Sequence, residues 1–181
     1  MRLLAVLAVV VSAACALAST AGAGKVDRFT IHDEYDFVVD GFCDTQGLSV
    51  RIVGVLDMRV HIVPRGPDQL LYFLQHGTQS ETLTANGTSL TSLATVNEKD
   101  LHATDNGDGT VTVLIVATGN AALYDEAGTA IARNPGQTRL EITFDENGNE
   151  IPGSRRIARE STGRSDDFCA AAIPALTAST S

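Results

Sequence analysis

Hydrophobic and polar positions alternate with a period of two along much of this chain, the spacing that turns one face of an extended strand toward a core and the other toward water. The cleanest case sets Leu140, Ile142 and Phe144 against Arg139, Glu141 and Thr143. Leu48, Val50 and Ile52 alternate with Ser49 and Arg51, and Met58, Val60 and Ile62 with Arg59, His61 and Val63. Gly54 between these runs predicts a bulge or bend in one long, coiled strand. Leu70 to His76 reads as a strongly apolar strand, residues 77–80 as a polar break, and the stretch near Glu81 to Thr84 as a Thr-rich strand. Ser89 to Val96 and Leu101 to Thr104 follow as further strands, the first entered through an Asn86-Gly87 hairpin turn.

From Asp105 to Phe144 the turn residues divide the apolar runs into four short strands joined by three hairpin turns. Asp108-Gly109 is the first signal. Val111, Val113, Ile115 and Ala117 then line one face while Leu114 and Val116 make the other apolar as well, which predicts a central strand covered on both sides. Gly119-Asn120 interrupts it. Gly128 supplies the left-handed residue that closes the next hairpin, and Asn134-Pro135-Gly136-Gln137 predicts a type II turn, Pro135 fixing φ and Gly136 accepting the positive value after it.

Helix signals are confined to Asp166 to Leu176, with Ser165 or Asp166 as cap and Pro174 as stop, before a flexible tail at residues 175–181. Many short strands at hairpin spacing predict an all-β domain over residues 24–174. A single antiparallel β-barrel of about 8–10 strands is favoured over a β-sandwich, because closure removes exposed edges. The chain has no Trp, so the buried Trp of an immunoglobulin-like sandwich is missing.

Composition narrows the setting. The length of 181 residues suits one domain, and the formal charge of −9 argues against a phosphate-binding surface; Arg155, Arg156 and Arg159 form the one basic cluster. Met1 to Ala23 reads as a secretory signal peptide: Arg2, an apolar run from Leu3 to Ala14 too short to cross a bilayer, then small residues ending at Ala21-Gly22-Ala23. Export to the extracellular space or cell envelope is the expectation. Ser12-Ala13-Ala14-Cys15 distantly resembles a lipobox, but Ser12 stands where a branched residue is usual, so a lipid anchor at Cys15 is disfavoured. With the signal removed, Cys43 and Cys169 remain in an oxidising compartment and are expected to pair, closing a loop of roughly 125 residues. Neither has a nucleophile's sequence signature around it.

The signal peptide together with Asp40-Gly41-Phe42-Cys43, Asp105-Asn106-Gly107-Asp108-Gly109-Thr110, Ala117-Thr118-Gly119-Asn120, Ala132-Arg133-Asn134-Pro135-Gly136 and Gly163-Arg164-Ser165-Asp166-Asp167-Phe168-Cys169 resembles a family of small exported proteins of actinobacteria. The resemblance covers most of the mature chain. It implies an all-β fold and an exported location, and it brings no activity and no catalytic residue.

Candidate chemistry is sparse. The loop from Thr104 to Gly109 is oxygen-rich, yet Thr104 and Ile115 occupy the first and closing ligand positions of a calcium loop, so a plain hairpin is preferred and no metal or cofactor is assigned. Asp145 to Glu150 reads likewise as a solvated turn. His32, His61, His76 and His102 lack zinc-ligand spacing. No G-x-S-x-G elbow, P-loop or dinucleotide fingerprint is present. Two function classes remain. One is a non-catalytic exported barrel that binds a small apolar ligand, with Tyr35, Phe37, Tyr72, Phe73, Tyr124 and Phe144 lining a cavity, or that makes structural or protein-partner contacts. The alternative is an exported isomerase or hydrolase whose site combines His61 or His76 with a distant acid. The balance of residues favours the non-catalytic reading.

Overall fold

A computed structural model describes residues 27–66 and 69–178. The expected signal peptide, Cys15 and the last three residues of the tail lie outside the described residues.

Among the described residues, eight strands and one α-helix form the domain: β1 (Asp27–Asp40), β2 (Ser49–Arg65), β3 (Leu70–Ala85), β4 (Thr88–Asp105), β5 (Val111–Tyr124), β6 (Ala130–Arg133), β7 (Gly136–Phe144), β8 (Arg156–Arg159) and α1 (Phe168–Thr177), with a single 3-10 turn at Phe42–Asp44. All pair antiparallel in one sheet, in the order β1-β2-β3-β4-β5-β7-β8, with β6 also on β5. The all-β expectation holds. Among the described residues the ladder is an open path with β1 and β8 at its ends, so the sheet is not a closed barrel.

Several expected breaks are not breaks. β3 runs through the polar residues 77–80, and β4 runs unbroken from Thr88 to Asp105. Both are held in register by neighbours on either side, and a central ladder of backbone hydrogen bonds outweighs local polarity. β5 likewise passes through Gly119-Asn120, because Val96 and Thr95 of β4 pair with those two residues. β2 is one long strand, as expected, but its pairing shows no register shift at Gly54. A Cβ at Gly54 would lie 2.6 Å from the Tyr35 ring, so this glycine makes room for an aromatic ring from β1 to lie across the strand. The shift in β4 falls instead between Asp100 and His102.

The Asn134-Pro135-Gly136 turn needs the largest correction. β6 and β7 are not a hairpin pair: β6 pairs with Ala122–Tyr124 of β5 and β7 with Val111–Gly119, so the chain runs on along one edge of β5 without reversing. Gly136 is absent from the positive-φ glycines, so no type II turn forms there. Its role is close approach. A Cβ on Gly163 would meet the Cα of Gly136 at 2.8 Å, so both must be glycine for these backbones to pack. The other turns are as read. Asn86 (φ 51°) and Gly87 (φ 82°) both take the left-handed region, the requirement of a type I′ hairpin, and Gly128 has φ 77°.

The core is gathered in two clusters. At one end Val50, Ile52, Leu83, Leu90 and Leu123 are covered by Ala172 and Leu176 of α1. At the other, Tyr72 packs with Ala103, Val113, Ile115 and Ile142. Asp167, one residue beyond the expected cap, accepts from the Ala170 N–H at 3.0 Å to start α1. Pro174 lies inside the helix, which continues to Thr177. The expected tail is therefore partly structured: Leu176 is fully buried, and its carbonyl accepts from Asn86 Nδ2 at 2.8 Å. The Cys43–Cys169 disulfide joins α1 to the turn after β1, with the Cα atoms 5.7 Å apart.

Candidate functional site

Between the two apolar clusters the inner face carries polar side chains. The register brings Tyr35 opposite Gly54, Gly54 opposite Glu81, and Glu81 opposite Ser92, in one row across β1 to β4. The Tyr35 hydroxyl donates to Glu81 Oε1 at 2.8 Å, and Gln79 Nε2 donates to the Tyr35 oxygen at 2.6 Å and to Glu81 Oε1 at 3.0 Å. Glu81 is only 6% exposed, so these bonds replace the water its carboxylate has lost. Burial, with the Glu81 acceptor adding to it, pushes the Tyr35 phenol up to about 12; Gln79 works the other way. The hydroxyl therefore remains a neutral donor at any ordinary pH. Removing it as Tyr35→Phe should cost about 1–2 kcal/mol, because Glu81 then keeps Gln79 alone. The check is thermal unfolding; a variant melting at the wild-type temperature would mean that the hydroxyl contributes nothing net.

Six residues further along β4 from Ser92, the buried face turns more acidic. Glu98 and Asp100 sit two apart on β4, hence on the same face by strand periodicity. Burial raises the pKa of both carboxyls, and Arg155, held by Glu150 at 2.6 Å, partly offsets this for Glu98. Asp100 is 6% exposed and accepts from the Phe73 N–H at 2.8 Å, just past the last β3–β4 pair, Leu74 with Lys99. The side chain stands in for the next rung of the ladder. Glu98 and Asp100 therefore keep their protons to higher pH than ordinary carboxyls, since each lies in a medium that disfavours its charge.

Two small cavities open on this face. One is lined by Leu56, Gly77, Gln79, Ala94, Val96 and Glu98, the other by Phe42, Ile52, Glu81, Leu83, Ser92 and Phe168, and each holds about 20 Å³, room for one water. The six aromatics expected to line a ligand cavity are distributed rather than gathered. Tyr35 packs against the first cluster and stacks tilted on Phe37 at 5.7 Å, while Tyr72 and Phe144 belong to the second. Phe73 gives its backbone N–H to Asp100, and Tyr124 ends β5 where it pairs with β6. The Tyr72 hydroxyl accepts from the Ala103 N–H at 3.1 Å, and Arg65 lies over its ring at 4.8 Å.

The histidines are not part of the band. Strand parity sets His32, His61 and His76 on the outer face, opposite Tyr35, Met58 and Gly77 respectively in the alternation of their strands. His76 Nδ1 bonds the Asn97 amide at 2.8 Å rather than an acid. Among the described residues the one close His–carboxylate arrangement is His32 with Asp57 at 2.8 Å across the strands and Glu34 at 3.4 Å on its own strand, the first a contact that sequence spacing did not reveal. Both acids raise the pKa of His32, Asp57 more strongly. Among the described residues no group of three or more His, Cys, Asp and Glu is placed to hold a metal ion. In the oxygen-rich loop after β4, Asp105 and Asp108 accept from the Gly107 and Thr110 N–H groups and stabilise the turn.

The two ends of the sheet differ from its middle. β1 carries Asp27, Asp33, Glu34, Asp36 and Asp40 against one Arg, and exposes Phe37 (46%) and Val38 (59%). β8 and the residue before it carry Arg155, Arg156 and Arg159, and Ile157 is 49% exposed. No helix among the described residues is long and apolar enough to cross a membrane. Compared with family models, with curated proteins and with solved structures, the chain matches none of them.

Proposed function

We propose that this chain is an exported, non-catalytic interaction module of the cell envelope or extracellular space that works through the edges of its sheet. One observation carries the reading: β1 is a fourteen-residue strand whose outer side no described strand pairs, and it holds two of the large apolar side chains left exposed. A long open edge presents a row of backbone donors and acceptors ready for strand addition. The disulfide fits an oxidising compartment, as the reading of residues 1–23 as a signal peptide requires. The resemblance to small exported actinobacterial proteins agrees with that location. The barrel anticipated from the hairpins would join β1 to β8 within one chain and use up these edges; the open path of the sheet supports strand addition instead.

Against a carrier of small apolar molecules stand the two water-sized cavities, where a drug-sized ligand needs several hundred Å³. Of the six aromatics, Tyr35 packs on one cluster and Tyr72 and Phe144 on the other, while Phe37 is half-exposed. Native and denatured mass spectrometry of the protein exported by its own host should give the same mass per chain once the disulfide is counted. A bound molecule of a few hundred daltons would overturn the reading in favour of a ligand carrier.

A further inference from the structure

We infer that the two edges of the sheet recognise one another between copies of this chain, β1 of one copy adding to β8 of the next. This rests on the reading of the protein as an edge-mediated interaction module and names its partner.

The argument is complementarity of charge and of apolar pattern. On β1, strand alternation puts Tyr35, Phe37 and Val39 on the inner face and Glu34, Asp36 and Asp40 on the outer. On β8, the pairing with β7 matches Arg156 to Glu141 and Arg159 to Arg139, both outer positions, and Ile157 to Leu140, an inner one; the irregularity at Ala158 is what returns Arg159 to the same side as Arg156. An antiparallel seam with Ile157 opposite Phe37 then buries two half-exposed apolar side chains together on the inner face. It also sets Arg156 and Arg159 among Asp36, Asp40 and Glu34 on the outer face, within the reach of opposite and diagonal cross-strand pairs. Two copies joining β1 to β1 would instead oppose acid to acid, which such pairing penalises. Charged edges ordinarily prevent association because both edges repel alike. Here the two edges carry opposite sign in a chain of net charge −9, so the same charges that block like-with-like pairing favour head-to-tail pairing. Such an interface is heterologous and extends unless the copies close into a ring.

Sedimentation velocity of the mature, disulfide-bonded protein over a wide concentration range tests this. The wild type should form species larger than one chain, more so at low salt, since exposed pairs are screened. Glu34→Lys with Asp40→Lys reverses the charge on either side of Asp36, so that the part of β1 facing Arg156 and Arg159 is basic like β8, and Arg156→Glu with Arg159→Glu makes both edges acidic. Each double variant alone should self-associate roughly tenfold more weakly or less, and an equimolar mixture should recover association because each edge again meets its opposite. That recovery separates loss of the seam from loss of the fold. A wild type that stays monomeric throughout, whether its edges remain open or close on each other within one chain, overturns the inference. So do variants that associate like the wild type, or a mixture that stays monomeric. These results would leave an edge-mediated module for some other partner intact, whereas the mass measurement above tests that broader reading by itself.

Discussion

Cys43→Ser should lower the melting temperature of the oxidised protein by roughly 8–15 °C. The bond joins residues 126 apart, and constraining a loop of that length in the unfolded chain corresponds to about 4–5 kcal/mol. Its position adds to the effect. Cys169 lies in α1, whose Ala172 and Leu176 are buried on the first cluster, and the helix otherwise reaches the sheet mainly through its packing and the Asn86 bond to the Leu176 carbonyl. One term opposes the loss: Cys43 and Asp44 both have left-handed backbones (φ 55° and 58°), which cost non-glycine residues about 1 kcal/mol each, and the freed turn can relax. The measurement is thermal unfolding with and without reductant. The wild type should fall to the variant's melting temperature when reduced, and the variant should not respond. Equal melting temperatures for oxidised wild type and variant would remove the disulfide from any account of stability.

The legible parts of the fold were those fixed by backbone chemistry within a few residues. Asn86-Gly87, Asp108-Gly109 and Gly128 announced turns because positive φ is a local demand, and the alternation of Leu140, Ile142 and Phe144 gave the face of β7 directly. What misled was the same local reading applied inside the sheet. Gly119-Asn120 and residues 77–80 carry break signals, yet each is pinned on both sides by neighbouring strands, an effect of partners far away in sequence. Asn134-Pro135-Gly136 has the composition of a reversing turn. It does not reverse because β5 is long enough to seat β6 and β7 end to end, and Gly136 is small for the sake of Gly163. Closure was expected because edges are unfavourable, but that preference does not say whether the same chain or another supplies the missing strand. The polar band was illegible for a similar reason. Tyr35, Gln79, Glu81 and Asp100 look like ordinary strand residues until register brings them to one face, and Glu81 and Asp100 give no sequence sign of being buried. The Cys43–Cys169 pair was readable because, once residues 1–23 are read as a signal peptide, two cysteines are left and allow one pairing.

Asp100→Asn should stabilise the protein at neutral pH and leave it unchanged in mild acid. Burial raises the Asp100 carboxyl from its ordinary 3.8 to about 6; the nearby Glu98 charge pushes the same way, and the Phe73 N–H and Arg65 oppose it. An acid whose folded-state pKa is raised holds its proton at pH values where the unfolded chain has already released it. Between about pH 4 and 6 the native state thus binds more protons, so this group's contribution falls as pH rises through that window and the full penalty persists above it. A shift of this size corresponds to about 2–3 kcal/mol. Asn keeps an oxygen to accept from the Phe73 N–H and carries no charge to desolvate, so it escapes the penalty while retaining the bond that takes over where β3 and β4 part. Melting temperatures of the two proteins should therefore coincide near pH 4 and separate steadily up to about pH 7, the variant being higher by roughly 5–10 °C. The exposed carboxylates Asp36, Asp108, Asp145 and Asp166 have lowered pKa values and lose their contributions only at more acidic pH, equally in both proteins, so they cancel in the difference. A difference that does not change with pH would mean that Asp100 is ionised in the folded state as readily as in the unfolded chain, and a variant less stable at neutral pH would mean that its charge is needed where it lies.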